Sequence, residues 1–64
     1  MTVNGEARDL PDKLTLEALI YQLALAPDRL AVERNHEVVR RADWPHTVLL
    51  EEDKIEIIHF VGGG

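Results

Sequence analysis

Apolar positions along the 64-residue chain recur with two different periods, and the changes of period divide it into elements. At the start, Met1 and Val3 alternate with Thr2 and lead into Asn4-Gly5. That dipeptide suits a two-residue type I′ hairpin turn, where both central residues need φ > 0. The pattern therefore predicts a first strand returning over residues 6–10, with Leu10 inward and Pro11-Asp12 as its end. The period then lengthens. Leu16, Leu19, Ile20 and Leu23 follow the i, i+3, i+4, i+7 spacing of one buried helix face. Thr15 stands at the N-cap, Glu17 complements the positive end of the helix dipole, and Leu14 and Leu19 are placed for a hydrophobic staple. Pro27 disfavours helical geometry at Ala26, so the helix is expected to stop near Leu25.

Alternation returns in residues 30–34 and 37–40, a second hairpin turning at Asn35-His36. "ADWPHTVL" reads as an irregular or single-turn segment carrying a partly buried Trp44, "EED" as a turn, and "KIEIIHFV" as the last strand. In that strand Ile55 and Ile57 share one face while Ile58 and Phe60 share the other, so both faces are apolar toward its end. One helix covers one face of a sheet, which gives a two-layer α+β domain. The second apolar face is left for a capping loop or a partner.

A chain this short buries only about 60% of its unfolded surface, so it holds no room for a pocket beside a core, and a partner-dependent role fits better than autonomous catalysis. Hydrophobic residues at 45% and charged residues at 30% mark it as globular. Seven basic against twelve acidic residues give a net charge of -5, which argues against nucleic-acid binding and favours a basic partner surface. Without cysteine there is no thiolate nucleophile, disulfide or cysteine metal site; without serine there is no attachment point for an acyl carrier's prosthetic arm. His36, His46 and His59 lie on different elements without ligand spacing, so no metal is expected. Asp9, Asp12, Glu51, Glu52 and Asp53 read as solvated surface. No leader and no membrane span are evident, and a cytoplasmic location is expected.

The chain closes on "HFVGGG". Together with "VNGEARDL", "LTLEALIYQL", "LAVERNHEVVRRADW" and "DKIEIIHFVGGG", this ending resembles the ubiquitin-like β-grasp proteins, and among them the ThiS family of sulfur carriers in thiamine biosynthesis. The resemblance implies a β-grasp domain over residues 1–61, with a mixed sheet of four to five strands on one main helix. A flexible Gly-Gly-Gly tail, 62–64, is expected to follow it. It further implies that the Gly64 carboxylate, with Gly63 beside it, is adenylated with ATP by a partner enzyme. A cysteine desulfurase or other persulfide donor then converts it to a thiocarboxylate, and thiazole synthase accepts the sulfur. The protein itself is a carrier, not an enzyme, and holds no stable cofactor.

The tail residues suit that chemistry. An α-carboxyl group with a pKa of about 3.5 is an anion at neutral pH, able to attack a phosphate but a poor acyl donor until activated. Glycines at 62, 63 and 64 leave the acyl carbon unhindered and thin enough to enter a closed site. Ordering them costs roughly 1–2 kcal/mol each, which contacts elsewhere must offset; Ile58, Phe60, Val61 and Gly62 are the expected partner contacts. Family members commonly carry glycine where this chain has His36 and Glu52. If those turns keep a positive φ, each substitution costs roughly 1 kcal/mol. The competing readings are the small subunit of molybdopterin synthase, whose relatives run longer, a ubiquitin-like modifier of lysines, and an interaction module with an inert tail.

Overall fold

A computed structural model describes residues 1–60; Val61 to Gly64, and with them the expected reactive tail, lie outside the described residues. Five strands form one sheet in the order β2-β1-β5-β3-β4: β1 (Thr2–Val3), β2 (Glu6–Ala7), β3 (Leu30–Arg34), β4 (Glu37–Val39) and β5 (Lys54–His59). The helix α1 (Leu16–Gln22) covers one face. β5 is central, parallel to β1 and antiparallel to β3, while the two hairpins are antiparallel. First and last strands side by side, with a helix across them, make a mixed β-grasp sheet in two layers.

The first turn forms as its dipeptide dictates, with φ of 51° at Asn4 and 83° at Gly5. The return strand is shorter than expected. Its last rung is the Arg8 amide on the Met1 carbonyl, and Leu10 packs against the core without a strand around it.

The helix starts where its cap predicts. The Thr15 hydroxyl accepts from the Ala18 amide, Glu17 sits in the first turn, and Leu14 and Leu19 are both buried. It ends earlier than Pro27 alone requires. Leu23 is the C-cap and Ala24 takes a left-handed φ of 56°. The Ala24 amide reaches the Tyr21 carbonyl at 3.1 Å and the Leu25 amide the Ile20 carbonyl at 3.4 Å, the two bonds of a Schellman stop. Alanine occupies the position that glycine ordinarily fills, which is why no punctuation showed there in the sequence. Pro27 opens a short 3-10 turn, Pro27–Arg29, leading into β3.

His36 has φ of 70°, so the middle turn does carry the expected strain. Glu52 is not among the residues with positive φ; the turn before β5 is built instead around the Asp53 side chain. A six-residue 3-10 helix, Arg41–His46, places Trp44 beneath the sheet edge with 3% exposure, so it is fully and not partly buried. Its indole Nε1–H donates to the Val39 carbonyl at 3.0 Å. The core is one cluster of Val3, Leu14, Leu16, Leu19, Ile20, Val32, Trp44, Leu49 and Ile55. Its centre is Leu16, Val32 and Ile55, each 0% exposed.

Asp53 departs most from expectation. It is 4% exposed, not solvated surface. Its Oδ2 accepts from Arg34 Nε at 2.9 Å and from the Leu50 amide at 2.8 Å, and its Oδ1 accepts from Asn35 Nδ2 at 3.0 Å. Three donors from two loops and a strand compensate the burial of one carboxylate.

Candidate functional site

β5 is the element that leads to the C-terminal residues, so what holds β5 fixes where they emerge. Its N-terminal half is gripped from both sides by asparagines in left-handed turns. Asn35 accepts the Lys54 amide on Oδ1 at 2.9 Å and donates its own amide to the Lys54 carbonyl at 2.8 Å. Asn4 does the same from the other hairpin. Its amide donates to the Ile55 carbonyl and its Oδ1 accepts the Ile57 amide, each at 2.8 Å. Each side chain supplies an acceptor where the chain has already turned away from strand geometry. Sequence reading used both asparagines for their backbone freedom and missed this second job; their placement at turns flanking β5 becomes visible only with the register.

The strand alternation then sorts β5. Ile55 is fully buried and Ile57 packs against the core, on the helix side. Ile58 and Phe60 point the opposite way and are 45% and 58% exposed. Phe60 lies one residue beyond β5, and its amide still reaches the Arg29 carbonyl at 2.9 Å, so the ladder continues to the last described residue. Of the expected partner contacts, Ile58 and Phe60 therefore share the open face of the sheet, while Val61, Gly62, Gly63 and Gly64 fall outside the described residues.

Val38 joins them, 69% exposed on the same open face, and the sequence reading did not single it out. The signal was present: Val38 and Val39 are consecutive apolar residues in a strand, which forces one of them outward. On this face β5 and β3 pair Glu56 with Glu33 at one end and Ile58 with Ala31 further along, and Phe60 then meets Arg29. The surface thus passes from acidic to apolar toward the tail, with Arg29 and Arg40 exposed at the apolar end. The excess negative charge of the chain is not gathered around the exit of the tail.

Trp44 is committed to packing by its hydrogen bond and burial. It also walls an open groove of about 540 Å³ between α1 and the second 3-10 helix, on the side away from Ile58 and Phe60. Among the described residues no three His, Asp or Glu side chains converge, and His36, His46 and His59 remain apart. No helix of the described residues is long and apolar enough to cross a membrane.

The ThiS family model matches residues 1–64. The chain belongs to the ThiS family. The crystal structure of a thiamine biosynthesis protein (ThiS) from Geobacter metallireducens superposes with a TM-score of 0.80 at 33% identity, over 98% of this chain and 96% of that one. The sulfur carrier protein ThiS of Bacillus subtilis is 38% identical over 53 residues, 83% of this chain and 80% of its own length. A thiazole synthase of Magnetococcus marinus is 47% identical over 62 residues, covering 97% of this chain. The chain spans about a fifth of that synthase's length, 19%. A ThiS-like module therefore occurs both as a small protein and as a segment of a much larger one.

Proposed function

We propose that this chain carries sulfur for thiazole formation in thiamine biosynthesis, with the Gly64 carboxylate as the carrying group. The observation that supports it best is the family match over the whole chain, joined to a central strand that exposes Ile58 and Phe60 just before a sequence ending in three glycines. A carboxylate oxygen of Gly64 attacks the α-phosphorus of ATP on a partner adenylating enzyme. Pyrophosphate leaves, and the resulting acyl adenylate has AMP as its leaving group. The terminal sulfur of a persulfide displaces AMP, and a thiol cleaves the acyl disulfide to free the thiocarboxylate. Thiazole synthase takes the sulfur at the sulfide level, and an oxygen from water or from the accepting substrate replaces it on the acyl carbon and restores the carboxylate. The chain acts as a co-substrate: Gly63 and Gly62 keep the acyl carbon accessible, and Ile58, Phe60 and Val61 dock the domain on its partners.

Buried contact on the domain has to outweigh the cost of ordering the glycines, and the open face supplies it through Ile58 and Phe60. Neither a molybdopterin pathway nor conjugation to lysine has a specific observation in its favour. The test is intact mass after co-expression with an adenylating enzyme and a cysteine desulfurase. The expected product carries sulfur in place of one oxygen at Gly64 and disappears when Gly64 is deleted. An isopeptide adduct on other proteins, or an unmodified mass with active partners, contradicts the proposal.

A further inference from the structure

β5 is paired unequally on its two sides. On the β3 side the ladder runs the full length, from Lys54 to Phe60. On the other side β1 contributes only Thr2 and Val3, opposite Lys54 and Ile55. The Asn4 side chain then adds one more rung at the Ile57 amide, and there the hairpin turns back. Beyond that rung β5 has no neighbour on this side among the described residues.

Which backbone groups this leaves over follows from alternation. Asn35 donates to the Lys54 carbonyl and Phe60 donates to the Arg29 carbonyl, so Lys54, Glu56, Ile58 and Phe60 exchange bonds with β3. The odd-numbered residues face the β1 side: the Asp53 and Ile55 carbonyls and the Ile57 amide all find partners there. The Ile57 carbonyl and the amide and carbonyl of His59 face the same way, past the end of β1. Among the described residues nothing is bonded to them. An open groove of about 290 Å³ lies along this edge, bordered by Ile57, His59, Val3, Asn4, Leu23 and Leu25. Glu6 and Arg8 line it beside the apolar Val3, Leu23, Leu25 and Ile57, and its rim carries the free backbone donors and acceptors of β5.

An exposed edge with this alternation is matched by one kind of occupant, an extended polypeptide, because only a strand presents carbonyls and amides at the same spacing while sending alternate side chains into a groove. We propose that the edge of β5 from Ile57 to His59 receives an extended strand of the thiazole synthase, with one aliphatic side chain between Leu23, Leu25 and Val3. This rests on the reading of the chain as a sulfur carrier for that enzyme. The added strand would lie beside the residues leading to Gly64, at right angles to the contacts made by Ile58 and Phe60 on the open face, and would fix the direction in which the tail leaves.

The test is amide hydrogen exchange of the full chain, alone and with the host's thiazole synthase, followed residue by residue by NMR. The His59 amide is expected to slow by about tenfold or more in the complex, while Ile58 and Phe60, already bonded to β3, change little. A synthetic chain with the His59 nitrogen methylated keeps every bond to β3. It is expected to bind the synthase about fivefold or more weakly, with the Trp44 emission of a folded domain. A complex that forms with His59 exchanging as in the free chain overturns the edge proposal and leaves the carrier reading intact. Equal binding by the methylated chain does the same. His59 protection that rises with the concentration of the chain alone assigns the edge to a second copy and also overturns it. Failure of the thiocarboxylated chain to bind the synthase at all overturns the carrier reading and this occupant together.

Discussion

Asp53→Asn replaces a buried carboxylate by a group of the same shape, and the structure sets what that costs. A carboxamide has one acceptor oxygen and one donor nitrogen. If its nitrogen takes the Oδ2 position it faces Arg34 Nε and the Leu50 amide; if it takes Oδ1 it faces Asn35 Nδ2. Asn35 cannot flip to help, because its own oxygen already accepts the Lys54 amide. Either orientation sets donor against donor and removes the charge from the Arg34 bond. A hydrogen bond to a charged group is worth about 1.5–3 kcal/mol, and a buried unsatisfied donor costs a similar amount. Arg34 remains partly exposed, with 27% side-chain accessibility, which moderates the loss. The net expectation is roughly 2–3 kcal/mol of lost stability, or a Tm lower by about 10–20 °C in a domain of this size.

Thermal and urea unfolding followed by Trp44 fluorescence measures this, since Trp44 is buried and reports the core directly. The same pair of proteins isolates a pH effect. Burial alone would raise the Asp53 carboxyl, but its bonds to the Leu50 amide, Asn35 and Arg34 outweigh that and hold it below the ordinary 3.8. A depressed native pKa means that the contribution is complete above the unfolded value and is lost as pH falls through the native one. The parent should therefore lose stability below pH 3.8 by more than the Asn variant does. A loss below about 0.5 kcal/mol at neutral pH, or identical acid profiles for the two proteins, would refute the reasoning.

Ala24→Gly should raise stability by roughly 0.5–1 kcal/mol, because the left-handed helix stop no longer carries a Cβ; equilibrium unfolding checks it, and destabilisation would count against the Schellman assignment. Trp44→Phe should cost about 1–2 kcal/mol through the lost indole bond to the Val39 carbonyl, which keeps its ladder partner Val32, and the lost ring volume, read by calorimetry. Phe60→Ala should leave Tm within a few degrees of the parent, because the ring is 58% exposed. It should nevertheless lower kcat/KM of adenylation by about tenfold or more; unchanged adenylation removes Phe60 from the docking surface.

The succession of elements along the chain, the helix and the two hairpins were legible because each is announced locally: Asn4-Gly5, the leucine spacing of α1 with Thr15 before it, and Asn35 between alternating runs. The apolar second face of β5 was legible for the same reason, since Ile57 and Ile58 in succession cannot both point inward. What the sequence hid was non-local or atypical. Ala24 stops the helix in a conformation that alanine does not advertise. Asp53 stands in an acidic run that looks like surface, and only the return of Arg34 and Asn35 against it, 19 and 18 residues away, makes burial tolerable. The second role of Asn4 spans 53 residues and depends on the parallel pairing of the first and last strands. Periodicity specifies faces; it does not specify which loop will meet which strand. The reactive carboxylate itself was read from chemistry and family resemblance, and the residues that bear it lie outside the described part of the chain.

The most direct test of the central claim is the intact mass of this chain recovered from cells that also express an adenylating enzyme and a cysteine desulfurase. The carrier account predicts a species with one oxygen replaced by sulfur, localised by fragmentation to Gly64 and absent from the chain lacking Gly64. An unaltered mass, recovered beside partners shown to be active on another carrier, would contradict it.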